Sequence, residues 1–458
     1  MSARSEAGLA RPGARAINRA EIVDGNFLRL LAEWDGPTVP RPAHDAPLRP
    51  GTSLTGERFL RLFTAQITSR HLDFVAREMR ARNEGFYTIG SAGHEGNAVI
   101  GELTRTDDPA FLHYRSGAFM MARAAQDPSL DPVFDTALSL AASAEDPISG
   151  GRHKVWGSRP LWVLPQTSTI ASHLPKAVGT AIALEQARRI GRDTPVPSDA
   201  IVVCSFGDAS ANHSAALGAF NAAQWTAYQN LPVPILFVCE DNGLGISVRT
   251  PSGWIGASFA DRAGLDYFSA DGLDLPAAHD VANRAIAHCR RTRRPVFLHL
   301  GVVRLLGHAG TDIDAEYLGL DTVAASEARD PLLASARLAL ESGLMTAAEI
   351  RSLYEGLRER TREAAVRAAA RPKLTDRAKI VAPLAVAGGE EVVAEAGRVP
   401  EHDVRVAAFG GEARLPERGP ARHMSLQINR ALHDLMIKYP EMTIFGEDVA
   451  QKLSLIHI

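Results

Sequence analysis

The sequence predicts an α/β fold in which a parallel sheet is flanked by helices, and three observations predict it. Ile201 to Cys204 and Pro234 to Cys239 are short apolar runs rich in Val, Ile, Leu and Phe, as expected of strands buried on both faces. His213 to Tyr228, between them, is Ala-rich and free of Pro and of Gly save Gly218, which predicts a helix. Each run breaks into an acidic turn, Gly207-Asp208-Ala209-Ser210 after the first and Glu240-Asp241-Asn242-Gly243 after the second. A right-handed crossover sets both turns at the carboxyl ends of parallel strands, where open α/β sheets bind ligands.

Those turns offer hard oxygen donors and close backbone approach. Gly207 and the small Ala209 and Ser210 let N–H groups at a helix N-terminus come near an anion. Asp208 and Asn242 supply oxygen ligands suited to an octahedral Mg²⁺ that also holds phosphate oxygens. Together they point to a diphosphate cofactor. Taken singly, Gly207-Asp208 is also a plain helix cap and Asp241-Asn242-Gly243 an ordinary turn; their joint placement on one βαβ unit favours a site.

The pattern resembles the thiamine-diphosphate signature, Gly-Asp-Gly followed downstream by Asn-Asn. The resemblance implies that Asp208, Asn242 and the carbonyl of Leu244 hold Mg²⁺, and that Gly207, Asp208 and Ala209 lie against the cofactor. Two residues depart from the signature: Ala209 replaces its last Gly and Asp241 its first Asn. Ala costs on the order of 1 kcal/mol where the backbone needs positive φ, and it leaves the N–H donor in place.

At 458 residues the chain has room for two or three domains. A hydrophobic content of 45% with 22% charged residues is ordinary for a globular protein. The net charge of −3 makes no general electrostatic case for nucleic acid or an anionic membrane as partner. The three cysteines, Cys204, Cys239 and Cys289, read as small core residues in a reducing compartment. No apolar stretch reaches the roughly 18 residues of a membrane span, and no signal-peptide core is present. Arg4, Arg11, Arg15 and Arg19 hint at a transit sequence, but Glu6, Glu21 and the lack of an amphipathic face favour the cytoplasm.

Residues 1–52, rich in Pro, Gly, Ala and Arg, are expected to be a flexible extension with one helical island near Ala20 to Trp34. The main domain is expected over residues 53–371. It opens with a helix from Leu54 to Arg82, on which Phe59, Leu62, Phe63, Ile67, Phe74, Val75 and Met79 recur at helical spacing. Gly85 to Leu103 is a glycine-rich turn and helix with His94 and Glu95 near the helix start, where a carboxylate suits the dipole. This stretch resembles the Gly-x-Glu-Gly turn near the active site of the alpha-type subunits of 2-oxoacid dehydrogenases.

Next, an exposed strand end is expected to deliver Tyr114 and Arg115 ahead of another helix. Arg suits bidentate phosphate contact and Tyr adds a hydroxyl, while a surface salt bridge is equally open. In the resembling family a Tyr-Arg pair at this point grips the cofactor diphosphate, which implies that role for Tyr114 and Arg115. Ser149 to Ser158 is a basic, glycine-rich loop similar to one that leads toward the family's active site. From Gln166 to Ala183 a polar cap opens a helix. Packing alone makes Ile170 a core residue, whereas the resemblance sets Ser168 and Ile170 beside the aminopyrimidine ring.

Helix Leu275 to Arg291 and strand Pro295 to Leu306 follow the central unit. That strand runs into Gly307-His308-Ala309-Gly310-Thr311-Asp312. A lone His after a strand is more often structural, yet this loop matches the family's Gly-His loop. The match implies that His308 touches cofactor and substrate and serves as an acid/base or orienting group. Ala309 occupies the position of the serine found in regulated animal relatives, so phosphorylation there is excluded. Asp330 to Arg371 reads as two amphipathic helices.

Residues 372–422 read as a linker. Residues 423–452, a helix followed by a strand over Met442 to Phe445 and the turn Gly446-Glu447-Asp448-Val449, resemble the opening of a beta-type subunit with its transketolase pyrimidine-like domain. Residues 453–458 do not continue that pattern and are expected to be a non-native tail.

The resemblance therefore implies a thiamine-diphosphate-binding fold with a truncated second α/β domain: an alpha-type subunit fused to the start of a beta-type one. The implied activity is oxidative decarboxylation of a 2-oxoacid, branched-chain by preference, with acyl transfer to a lipoyl group on an acyltransferase partner. A pyruvate or acetoin dehydrogenase component, or a non-catalytic subunit that retains the fold, is the alternative. The expected assembly is a homo-oligomer of the full-length fusion. The family's activating Glu lies in the beta-type half, so the chain as given is expected to be inactive alone.

Overall fold

The two apolar runs form the centre of a six-stranded, wholly parallel sheet. In a computed structural model, which describes residues 18–310, 312–385, 388–444 and 446, the strands are β1 (Ala110–Phe111), β2 (Val163–Leu164), β3 (Val202–Gly207), β4 (Ile235–Asp241), β5 (Asp266–Asp271) and β6 (Val296–Gly301). Their order is β2-β1-β3-β4-β6-β5. β3 pairs with β4 from Val202 opposite Ile235 to Gly207 opposite Glu240. Both central strands are covered on each face, so neither shows polar alternation.

The two faces nevertheless differ in content. Val203, Leu236, Val238, Val296 and Leu298 join the main core. Phe206, Phe237 and Phe297 point the other way and meet Phe220 and Phe259; the Phe220 and Phe237 rings lie 5.0 Å apart and those of Phe259 and Phe297 4.4 Å. Helix Ser214–Tyr228, expected between the strands, carries Phe220 into this aromatic layer. Cys204, Cys239 and Cys289 are buried free thiols.

The long helix forms over Gly56–Ala81 and starts where Thr55 accepts the Arg58 N–H. Its Arg70 is fully buried and donates to Glu95 at 2.7 Å and to Asp330 at 2.8 Å. Glu95 thus anchors a buried ion pair as well as opening the 3₁₀ turn Glu95–Asn97. The two amphipathic helices are Pro331–Glu341 and Ala347–Ala369.

Within the stretch expected to be flexible, the helical island is packed. Helix Arg19–Ala32 buries Val23, Phe27 and Leu31, and Phe27 stacks on Tyr354 at 4.3 Å. Burial of three apolar side chains along one helical stripe offsets the cost of ordering it.

By residue contacts the chain divides into two compact units. The first holds the sheet. In the second, which includes Thr375 onward, helices Gly389–Gly397, His402–Phe409 and Met424–Lys438 form. Arg405 of this unit pairs with Glu417 at 2.8 Å and Asp434 at 2.6 Å. Residues 442–444 form no strand, and Phe445, the Glu447 to Val449 part of the expected turn and the tail 453–458 lie outside the described residues. Among the described residues no helix is long and apolar enough to cross a membrane.

The chain leaves β1 toward β2 on one side and later returns to lay β3 on the other. Loops after β1 and β3 therefore diverge, opening a crevice beyond their carboxyl ends.

Candidate cofactor and metal site

That crevice is where the expected residues meet. Tyr114 and Arg115 follow β1, Gly207 and Asp208 end β3, Asn242 and Leu244 follow β4, and Ile170 comes from the loop before helix His173–Arg189. All of them, with Ala209, line one cleft of about 210 Å³. Ile170 is 45% exposed there rather than part of the core. Ser168 sits exposed in a bend away from the cleft walls. His308 is not on the walls either; it stands behind them, with Nδ1 3.2 Å from Arg115 Nη2 and its ring edge-on to Tyr114 at 5.9 Å.

Asp208 is 1% exposed, and its Oδ2 has no hydrogen-bond partner. Burial raises its pKa to about 6, against hydrogen bonds from Thr250 and the backbone N–H groups of residues 208 and 242. A buried carboxylate oxygen without a donor is costly unless a cation meets it. With the Asn242 side chain and Leu244 on the same cleft, the donor set is all oxygen, as a hard cation requires. The residues fit the metal.

Arg115 is not at an exposed strand end as expected. It is 3% exposed and forms no ion pair with a carboxylate among the described residues. Its guanidinium donates to the Gly90 carbonyl at 2.5 Å and stands 5.0 Å from the Tyr114 ring centroid. A buried cation without an anion, on a cleft wall, fits a diphosphate.

Both departures from the signature have structural explanations. Residue 209 lies in the 3₁₀ turn Ala209–Asn212 and has no left-handed backbone, so Ala is unstrained there. The helix itself begins only at Ser214; the N–H groups of 209 and 210 belong to the turn, not to a helix N-terminus as expected. Asp241 is not on the cleft walls; it pairs with His299.

Three functional-looking side chains had no site role assigned from the sequence. His94, His113 and Glu240 are buried with ligand-capable atoms within 4.8 Å of one another. Burial pushes both imidazoles far below the ordinary range and lifts Glu240 to about 8. The sequence signals of this cluster are the carboxylate closing an apolar run at Glu240 and the position of His94 in the Gly-rich turn before a helix. Burial, reinforced by Arg115 and Arg304, lowers His308 to about 4, so it is neutral at physiological pH, with Arg115 donating to its Nδ1.

The family described as the dehydrogenase E1 component matches residues 64–376. The chain belongs to that family. Its members are the thiamine-diphosphate-dependent decarboxylating components of 2-oxoacid dehydrogenases. The alpha subunit of 2-oxoisovalerate dehydrogenase from Bacillus subtilis is 26% identical over 302 residues, covering 64% of this chain and 85% of that one. The mitochondrial alpha subunit from Mus musculus is 24% identical over 326 residues, 68% and 67% of the two chains. The mitochondrial pyruvate dehydrogenase E1 component subunit alpha of Dictyostelium discoideum is 22% identical over 328 residues, 69% and 79%.

Proposed function

We propose that this chain is the alpha-type part of a 2-oxoacid dehydrogenase, binds thiamine diphosphate with Mg²⁺ in the β1–β3–β4 cleft, and acts on a branched-chain 2-oxoacid. One observation carries the reading: the unpartnered buried oxygen of Asp208 and the buried, carboxylate-free guanidinium of Arg115 line the same cleft. An anion bridged by a divalent cation answers both. The relatives named for 2-oxoisovalerate support the branched-chain preference, and the pyruvate-named relative keeps pyruvate as the competing substrate.

When bound, thiamine diphosphate supplies the carbon nucleophile and the electron sink through which a 2-oxoacid loses carbon dioxide. The chain's own residues hold and orient. Asp208, Asn242 and the Leu244 carbonyl hold the metal. Arg115 and Tyr114 bind the diphosphate, against Gly207 and Ala209. Ile170 gives the cleft an apolar wall. His308, neutral and braced by Arg115, orients substrate. The acyl product passes to a lipoyl arm of an acyltransferase, and a beta-type partner contributes the rest of the active site; the setting is cytoplasmic.

Calorimetric titration of thiamine diphosphate with and without Mg²⁺ tests the cofactor, on the native chain and on Asp208→Ala. Mg²⁺-dependent binding that Asp208→Ala abolishes is expected; equal binding by both proteins would remove Asp208 from the site. Carbon dioxide release from 2-oxoisovalerate against pyruvate, measured with a beta-type subunit added, then decides the substrate.

A further inference from the structure

We infer that His94 is a positioning residue that turns the Asn242 amide so that its oxygen, not its nitrogen, faces the metal position beside Asp208. This rests on the cofactor reading above and deepens it by assigning a residue that touches neither cofactor nor substrate.

An asparagine amide has nearly the same shape either way round, so packing alone does not choose its orientation. Here a chain of hydrogen bonds chooses it, starting from the backbone. The Phe119 N–H donates to Asn97 Oδ1 at 2.8 Å, which makes Asn97 Nδ2 the donor end. Asn97 Nδ2 donates to Glu240 Oε2 at 3.2 Å. Glu240 Oε1 has no hydrogen-bond partner and can carry the carboxyl proton, which leaves Oε2 the acceptor 2.7 Å from His94 Nδ1, so the ring proton sits on Nδ1. His94 Nε2 then offers a lone pair, and Asn242 Nδ2 donates to it at 2.9 Å.

The far end is fixed as well. The Leu244 N–H donates to Asn242 Oδ1 at 3.0 Å. Flipping the amide would set its oxygen against the His94 lone pair and its NH₂ against the Leu244 N–H. Two hydrogen bonds would become two repulsions. A flipped amide would also aim N–H donors at a cation and cease to be a ligand. His94 therefore does for Asn242 what outer partners do for metal ligands generally: it selects the ligating atom.

The competing idea is that His94, His113 and Glu240 form a metal site of their own, as two imidazoles and a carboxylate can. Both His94 nitrogens are already engaged, so a metal there would break the contact with Glu240 or with Asn242.

Binding of Mn²⁺, followed by electron paramagnetic resonance on the full chain with thiamine diphosphate, tests the assignment. Native protein is expected to bind and Asp208→Ala to lose binding. His94→Leu should weaken Mn²⁺ about tenfold or more with an unchanged melting temperature. His94→Gln keeps an acceptor for Asn242 and a donor for Glu240, and should recover most of that affinity; this variant also decides the matter if His94→Leu folds poorly. In an Asn242→Asp background the loss of His94 should cost nothing, because a carboxylate has no wrong way round. Undiminished binding in His94→Leu, or an equal loss in both backgrounds, overturns the positioning role while leaving the cofactor site intact. Mn²⁺ binding without thiamine diphosphate that disappears in His113→Gln overturns it in favour of a separate metal site. Failure of the native chain to bind Mn²⁺ with thiamine diphosphate overturns the cofactor reading, and the positioning role with it.

Discussion

Asp241 Oδ2 lies 2.9 Å from His299 Nε2, across the paired strands β4 and β6. The His299 ring is held from its other nitrogen by the Tyr267 hydroxyl at 2.7 Å. Successive side chains of a strand leave on opposite faces, so Asp241 and Asn242 diverge although adjacent. Hydrogen bonds from His299 and from the Gly243 N–H outweigh burial and hold the Asp241 carboxyl below its usual range.

Asp241→Asn should leave Mg²⁺-dependent cofactor affinity within about twofold of native, with any change a loss, because Asp241 is off the cleft walls but its charge helps raise the Asp208 carboxyl. Ala209→Gly should likewise leave affinity unchanged and cost up to about 1 kcal/mol of stability through added chain entropy. Calorimetry and urea melts check both. A large gain of affinity in either variant would mean that the departures impair the site.

Arg115→Met should weaken thiamine diphosphate binding about tenfold or more, the value of one charged hydrogen bond. Arg115→Lys should recover only part of it, since an ammonium lacks the planar fork. Titration of both variants measures the effect, and full affinity in Arg115→Met would sever this residue from the diphosphate.

Removing Arg70 strands Glu95 and Asp330 as buried carboxylates. Arg70→Met is predicted to cost about 3–5 kcal/mol, since one partner of a buried pair leaves the others uncompensated. Urea denaturation reads this directly; a change below about 1 kcal/mol would show that water reaches the cluster.

Lys154 is buried, forms no ion pair among the described residues, and holds its ammonium 3.3 Å from the Trp156 ring centroid. Burial lowers its pKa to about 7 from the usual 10.5. Between those values the unfolded chain keeps a proton that the folded chain has lost, so stability rises with pH across the window. The penalty is complete below about 7. Lys154→Met should stabilise the protein at neutral pH by on the order of 2 kcal/mol, with little gain near pH 10. Thermal melts at the two pH values test this, and a lower melting temperature at pH 7 would sink it.

Elements with strong local patterning were legible in the sequence. The runs that became β3, β4 and β6 announced themselves by dense Val, Ile, Leu and Phe, although β6 ends at Gly301, short of the expected Leu306, and the helices at Gly56–Ala81 and Ser214–Tyr228 by spacing and composition. β1 and β2, two residues each, carry no periodicity to read, and β5 is a half-exposed edge strand without an apolar run. Asp208 and Asn242 could be picked out because each directly follows a legible strand.

By itself, then, the sequence determined the central βαβ unit, its acidic turns and the residues able to hold a metal and a diphosphate. Only the tertiary structure decided that Arg115 is buried without a carboxylate, that His308 stands behind it, that Asp241 turns to His299, and that His94, 146 positions from Glu240, orients Asn242. The division has a physical cause. Strand and helix preferences are set by residues a few positions apart, whereas burial and hydrogen-bond partnership depend on crossovers that bring distant segments to the same end of the sheet.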